Sequence, residues 1–501
     1  MRYFFACLLL AYGYTASGQT INQQKINKLC NDALPKALDD FRTFLSIPNL
    51  GSSKSDVEKN RNWCRQAYEA LGFTVIEIPT ATVPILIASY QAGKPKTVIF
   101  YTQIDGQPVT PSTWHQANPY QPVMKALLDG QWMEQPWTSL PFHDDWRIFA
   151  RSAADSKGPA MMLLQALRIM REQKLNPEFN IKVVMDFEEE QGSPELANAV
   201  THNRDLLSAD YCVIMDGVRS VRNVPTLTFG ARGITTMTLK IFGSTNDAHS
   251  GQFGNYVPNP VFGAARLLAA MKDESGRVLI PGFYDGVDLS DEEKKTLNQV
   301  PDDPGELGAG LGIARPEAVG ATYQESLQYP SLNIRGIKAA ETGAQSRTII
   351  PAEVTIEMDM RLVPETPALR QVNLVKAFIE QQGYHLVDRQ PTAEERTTYS
   401  KLASFSFEEG SLPFRTSYQS PMAGWLSSAV VRATGVDPIM MRTTGGSQPI
   451  SPFITTLGVP AIAVRIPDPG SNIHASDENI RLGNFREGIA TCLSILTQPI
   501  R

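Results

Sequence analysis

Four short, largely apolar runs constrain this chain more than any other feature: TVIFYT (97–102), FNIKVVMDF (179–187), YCVIM (211–215) and PAIAVRIP (460–467). Runs of this kind bury both faces, and such strands belong to parallel sheets covered by helices on either side. Between them lie segments with apolar residues at helical spacing, among them INKLCNDALPKALDDFRTFLSI, VEKNRNWCRQAYEALGF, GPAMMLLQALRIMREQ, PMAGWLSSAVVRATG and NFREGIATCLSILTQ. TVIEI and PILIASY add two further β-rich runs. The alternation predicts an α/β domain with a mostly parallel sheet and helices on both faces.

The middle of the chain has another texture. GITTMTLKIFG reads as a strand from Gly233, and NPVFGAARLLAAMK as an amphipathic helix. EVTIEMDMRLV alternates Val354, Ile356, Met358, Met360 and Leu362 with Thr355, Glu357, Asp359 and Arg361, which is a strand with one wet side. ALRQVNLVKAFIEQQG is a second helix. A one-sided sheet with two helices predicts a small α+β, ferredoxin-like domain inserted between two portions of the α/β domain. Its boundaries are expected near Arg232 and Pro391, dividing the chain into 19–231, 232–391 and 392–501. A length of 501 residues, too great for one ordinary core, agrees with that division.

The opening MRYFFACLLLAYGYTASGQT has Arg2, a short apolar run and then small residues, the pattern of a cleavable export leader over 1–18 with Gln19 as first mature residue. The apolar run is too short to span a bilayer, so no stable membrane anchor is expected. The expected location is periplasmic or secreted. Cys30, Cys64, Cys212 and Cys492 are too few and scattered for a disulfide framework or a cysteine-rich zinc site. Cys30 and Cys64 fall on two candidate helices that could pack antiparallel, which leaves one disulfide open. A net charge of −6 gives no cationic face for a nucleic acid.

The polar residues that follow the strands matter most. Gln103 and Asp105 come after TVIFYT, Glu188, Glu189 and Glu190 after KVVMDF, Asp216 after YCVIM, and His474 in the loop after PAIAVRIP. Asp155, in RSAADSKGP, precedes the helix that starts near Gly158. In open α/β sheets ligands bind beyond the carboxyl ends of the strands. Clustered carboxylates repel unless a cation neutralises them, so their convergence points to a metal site. Each residue alone has a plainer reading, as a solvated loop, a turn or a loop histidine. The coincidence at strand ends carries the argument.

QIDGQP, RSAADSKG, EEQGS, HSGQFGNYVPNP, RTIIP, RLVP and GGSQP, in this order, resemble the motifs of the carnosine dipeptidase and acetylornithine deacetylase superfamily of co-catalytic metallopeptidases, specifically its dipeptidase branch. The resemblance covers nearly the whole mature chain. It implies a lid and dimerisation role for the inserted domain, a homodimer, and two zinc ions per subunit. Asp155 would bridge the ions, with Glu190 and His474 completing one shell and Asp216 and residue 103 the other. Glu189 would be the general base, and His249 would stabilise the oxyanion from the other subunit. Thr348, Arg361 and Ser447 match substrate-contacting positions, with Arg361 the partner of a substrate carboxylate.

Residue 103 departs from the family, which has a histidine there; Ser152 and Ser156 depart as well, from a glycine and from an acid or amide. A glutamine oxygen is a poorer zinc ligand than imidazole but acceptable to harder cations such as manganese. Asp105, which would orient the imidazole, is expected to hold the Gln103 amide nitrogen and turn its oxygen toward the ion. His115 and His143 lie in the following loop, although nothing in their spacing marks them as substitutes. The reading is an exported metal-dependent hydrolase of dipeptides or short peptides. The alternatives are an N-acyl amino acid deacylase on the same fold and a catalytically silent metal- or peptide-binding relative. A serine hydrolase is disfavoured because no G-x-S-x-G elbow occurs.

Overall fold

The computed structural model describes residues 21–138 and 140–500, so the expected leader at 1–18 lies outside the described residues. An eight-stranded sheet organises the larger domain, in the order Thr74–Ile78, Ile85–Tyr90, Asn180–Asp186, Thr97–Gln103, Tyr211–Ile214, Ala461–Arg465, Thr226–Thr228 and Ile439–Met441. The four strands at its centre, Asn180–Asp186 through Ala461–Arg465, pair in parallel. Antiparallel pairs flank them. The central strands are buried almost throughout, as continuous apolar runs require.

Side-chain alternation divides the core between the two faces of the sheet. Leu86, Ala88, Val98, Phe100, Ile181 and Val183 pack with the long helices Gln23–Leu45, Lys157–Glu172, Pro421–Thr434 and Leu482–Leu496. Ile85, Ile87, Ile99, Tyr101 and Val184 point the other way, toward Leu196–His202 and Ser451–Thr455. The period of two in each strand makes both layers from one sheet. No helix among the described residues is long and apolar enough to cross a membrane.

The inserted domain has a five-stranded sheet in the order Ser331–Lys338, Glu353–Leu362, Gly233–Phe242, Leu402–Glu409 and His385–Val387. Helices Pro260–Met271 and Ala368–Gln381 cover one face, where Met237, Leu239, Ile356, Met358, Val372 and Val375 form a separate core. Leaving aside the edge strand His385–Val387, the order strand, helix, two strands, helix, strand is that of a ferredoxin-like unit. The expected boundary near Pro391 needs correction, because Leu402–Glu409 pairs with Gly233–Phe242 along its length. The domain therefore ends at Glu409. The chain leaves and returns side by side, with Gly230–Ala231 paired to Phe414–Arg415. A Cβ at Gly230 would stand 2.4 Å from the Phe414 carbonyl, so this close crossing admits only glycine.

A third, four-stranded sheet joins Asn479–Arg481, Arg147–Phe149, Val123–Leu128 and Gln131–Gln135. It ties the loop after His474 to the segment before Asp155. Cys30 and Cys64 are buried free thiols, so the disulfide left open by the sequence is not formed. Burial pushes both thiols up to about 12.

Candidate metal centre

The carboxyl ends of the central strands deliver the polar residues to one edge. Gln103 is the last residue of its strand, Glu189 and Glu190 open a 3-10 turn after Asn180–Asp186, and Asp216 follows Tyr211–Ile214. Asp155 and Glu190 meet His474 there, and one ligand atom from each lies within 4.8 Å of the others. His474 Nε2 is 2.8 Å from Asp155 Oδ2 and 3.4 Å from Glu190 Oε2. The imidazole is half exposed, whereas both carboxylates are buried. His474 itself has φ +60°, a left-handed turn conformation that Asn, Asp and His adopt more readily than other residues with a Cβ.

The electrostatics favour a cation. Burial, then Asp216, Glu190, Asp155 and Asp105, push Glu189 well above the usual carboxylate range. Burial and Asp155 likewise raise Glu190, whose Oε1 is buried without a hydrogen-bond partner. The hydrogen bond to Asp155 raises His474. One imidazole and two carboxylates, with an orphaned carboxylate oxygen among them, form the donor set of a catalytic divalent-metal site with an open coordination position. The residues present fit one ion.

The surrounding loops are pinned from below. Glu478, fully buried, accepts the backbone N–H groups of Ser152, Ala154 and Asp155 and the Arg151 guanidinium. Ser152 has φ +62°, which explains why a glycine suits that position; here its hydroxyl accepts a bond from Asn49 Nδ2 at 2.8 Å. Glu188 is structural: it is buried and accepts the Thr82 hydroxyl at 2.6 Å. His115 pairs with Asp477 at 2.6 Å and His143 lies against Trp146, so neither substitutes for a missing ligand.

Three expectations change. Gln103 does not turn its oxygen toward a metal position; its Nε2 donates to Asp155 Oδ1 at 2.5 Å, and its Oε1 is buried without a partner. Among the described residues Asp105 makes no hydrogen bond to Gln103; its two oxygens accept the backbone N–H groups of Glu189 (3.0 Å) and Glu190 (3.1 Å). Asp216 is not among the ligand atoms that meet within 4.8 Å of one another; its Oδ1 accepts the Ser156 hydroxyl (3.0 Å) and its Oδ2 accepts Gln448 Nε2 (2.8 Å). Sequence reasoning missed Ser156 and Gln448 as partners, and also Gln107, which donates to Glu190 Oε2 at 2.7 Å. Gln107 and Gln448 stand inside the recognised motifs, but the direction of an amide cannot be read from its letter.

The substrate-contacting positions fall into two groups. Arg361 Nη1 donates to Ser447 Oγ at 2.8 Å, and Ser447 adjoins Gln448, so this pair borders the centre. His249 and Thr348 form the other group: His249 ends the short strand Ala248–His249, and Thr348 immediately precedes its partner strand Ile349–Ile350. Both are exposed, and His249 Nδ1 accepts the Gly251 N–H at 3.0 Å. Among the described residues no hydrogen bond links either to the metal centre.

Residues 99–498 match the profile of peptidase family M20/M25/M40. The Beta-Ala-His dipeptidase of Mus musculus is 29% identical over 417 residues, spanning 81% of this chain and 77% of that protein. The Cys-Gly metallodipeptidase DUG1 of Candida albicans is 26% identical over 486 residues, spanning 91% and 93%. Among solved structures, an M20 family metallo-carboxypeptidase from Sulfolobus solfataricus superposes with a TM-score of 0.74 at 25% identity, covering 92% of this chain and 99% of that one.

Proposed function

The chain belongs to peptidase family M20/M25/M40, on its dipeptidase branch, and is a metal-dependent hydrolase; from that premise we propose that it cleaves the amide bond of dipeptides, with Asp155, Glu190 and His474 holding a zinc ion and Glu189 moving the protons. The observation that carries this reading is the convergence of those three ligands beside a half-buried glutamate. When bound, a zinc ion polarises the scissile carbonyl and makes water a nucleophile near neutral pH.

The chain's own residues do the rest. Asp105 fixes the turn that carries Glu189 and Glu190 by accepting both their amides, so one glutamate ligates while its neighbour stays free. Glu189 takes a proton from the attacking water and returns it to the leaving amine. Arg361, steadied by Ser447, offers a planar guanidinium to the substrate's terminal carboxylate. His249 serves the site of a second copy, which makes the working unit a homodimer, and Thr348 contacts the substrate. No observation favours a deacylase or a silent binding protein over this reading.

The opening pattern of residues 1–18 supports export to the periplasm or beyond the cell, and N-terminal sequencing of the mature protein tests it. The activity is tested by Glu189→Gln. Hydrolysis of β-alanyl-histidine and cysteinyl-glycine should be lost while the ion stays bound. Retained hydrolysis would overturn the assignment.

A further inference from the structure

A second ion sharing Asp155 would have to sit between Asp155 and Asp216, and the protein itself supplies what those carboxylates bind. Gln103 Nε2 donates to Asp155 Oδ1 at 2.5 Å. The Ser156 hydroxyl lies 3.0 Å from that same oxygen and 3.0 Å from Asp216 Oδ1, bridging the two carboxylates. Gln448 Nε2 donates to Asp216 Oδ2 at 2.8 Å. Gln103 and Ser156 are buried.

Positive charge is supplied too. Arg465 is buried, and its guanidinium packs so tightly on Gly217, next to Asp216, that a Cβ there would stand 2.7 Å from Nη1. The guanidinium donates to Thr228 Oγ1 at 2.5 Å and to the Val218 carbonyl at 3.2 Å. Among the described residues it forms no direct ion pair, so its charge acts on Asp216 through space. A divalent cation entering here would displace three donors, find an amide N–H₂ where a ligand is needed, and meet a fixed guanidinium of like charge.

We propose that this protein is a single-ion hydrolase, in which Gln103, Ser156, Gln448 and Arg465 together take the place of the second metal. The proposal rests on the reading of Asp155, Glu190 and His474 as the ion site, and deepens it. It predicts that proton donors and a guanidinium hold Asp155 and Asp216 at fixed separation while one ion serves catalysis.

The test is metal stoichiometry. Chelator-stripped protein titrated calorimetrically with zinc, then freed of excess metal and analysed for elemental content, should hold one ion per chain. Two ions per chain would overturn the proposal and leave the proposed function standing. No ion would overturn both. Removing the donors and adding ligands, in Gln103→His/Ser156→Asp/Gln448→Leu, should raise the content to two. Should that variant fail to fold, Gln103→His/Gln448→Leu keeps Ser156 and should still show a second zinc, at lower affinity. A folded variant that stays at one ion would contradict the role given to these side chains.

Discussion

Glu189 and Glu190 are neighbours with different duties, and the geometry separates them. Glu190 meets Asp155 and His474, whereas Glu189 is surrounded by carboxylates and, among the described residues, pairs with no cationic side chain. Glu189→Gln should therefore lower kcat by about 10²–10⁴-fold, the usual reach of general acid–base catalysis. Elemental analysis should find the ion retained. Loss of the ion instead would exchange the two roles. Glu190→Gln should show the reverse, with the ion lost first. These residue types and their gathering at strand ends were legible in the sequence, because each follows an unmistakable apolar strand. Hydrogen-bond direction was not: Gln103 and Asp105 looked like a pair, but Asp105 is committed to two backbone amides and Gln103 to Asp155. Such choices depend on atoms brought together from distant parts of the chain.

Two buried ionisable side chains hold the elements that carry the site. Glu478 gathers three backbone amides of the Asp155 loop and the Arg151 guanidinium. Glu478→Ala leaves Arg151 buried and unpaired, and should cost about 3–5 kcal/mol in denaturant unfolding. Lys157 starts the helix behind Asp155, and its Nζ donates to the carbonyls of Phe44 and Ile47 at the end of Gln23–Leu45. Burial lowers its pKa to about 7. Its unfolded value is about 10.4, so between those limits the unfolded chain binds more protons and stability rises with pH. The contribution approaches about 1.4 kcal/mol per pH unit within that window and vanishes above it. Unfolding free energies at pH 7, 8 and 9 should climb more steeply for the wild type than for Lys157→Met; parallel slopes would contradict the buried, neutral lysine. The central strands and long helices were legible because their apolar patterns are continuous or periodic. Leu402–Glu409 was not, since LASFSFEE sends only a few small or aromatic side chains into its core. The strands Val123–Leu128 and Gln131–Gln135 are short and partly or largely exposed, leaving little burial pattern to read.

At the scale of the whole molecule, the site is built from two domains whose linkers cross once, side by side, at Gly230–Ala231 and Phe414–Arg415. Arg361 comes from the inserted domain and reaches Ser447 on the larger one, so the carboxylate contact proposed for it lies where the two domains meet. His249, on the same inserted domain but apart from the centre, is assigned to a partner copy. Mixing inactive His249→Ala with inactive Glu189→Gln should then restore part of the activity, since each mixed dimer contains one intact composite site. Mixed dimers that form but stay inactive would place the whole site in one chain. The most direct measurement of the central claim is chelation followed by reconstitution, with dipeptide turnover and metal content read on the same sample. The account predicts that stripped protein is inactive and that turnover returns in proportion to zinc, complete at one ion per chain. Undiminished hydrolysis by protein shown to contain no metal would contradict it.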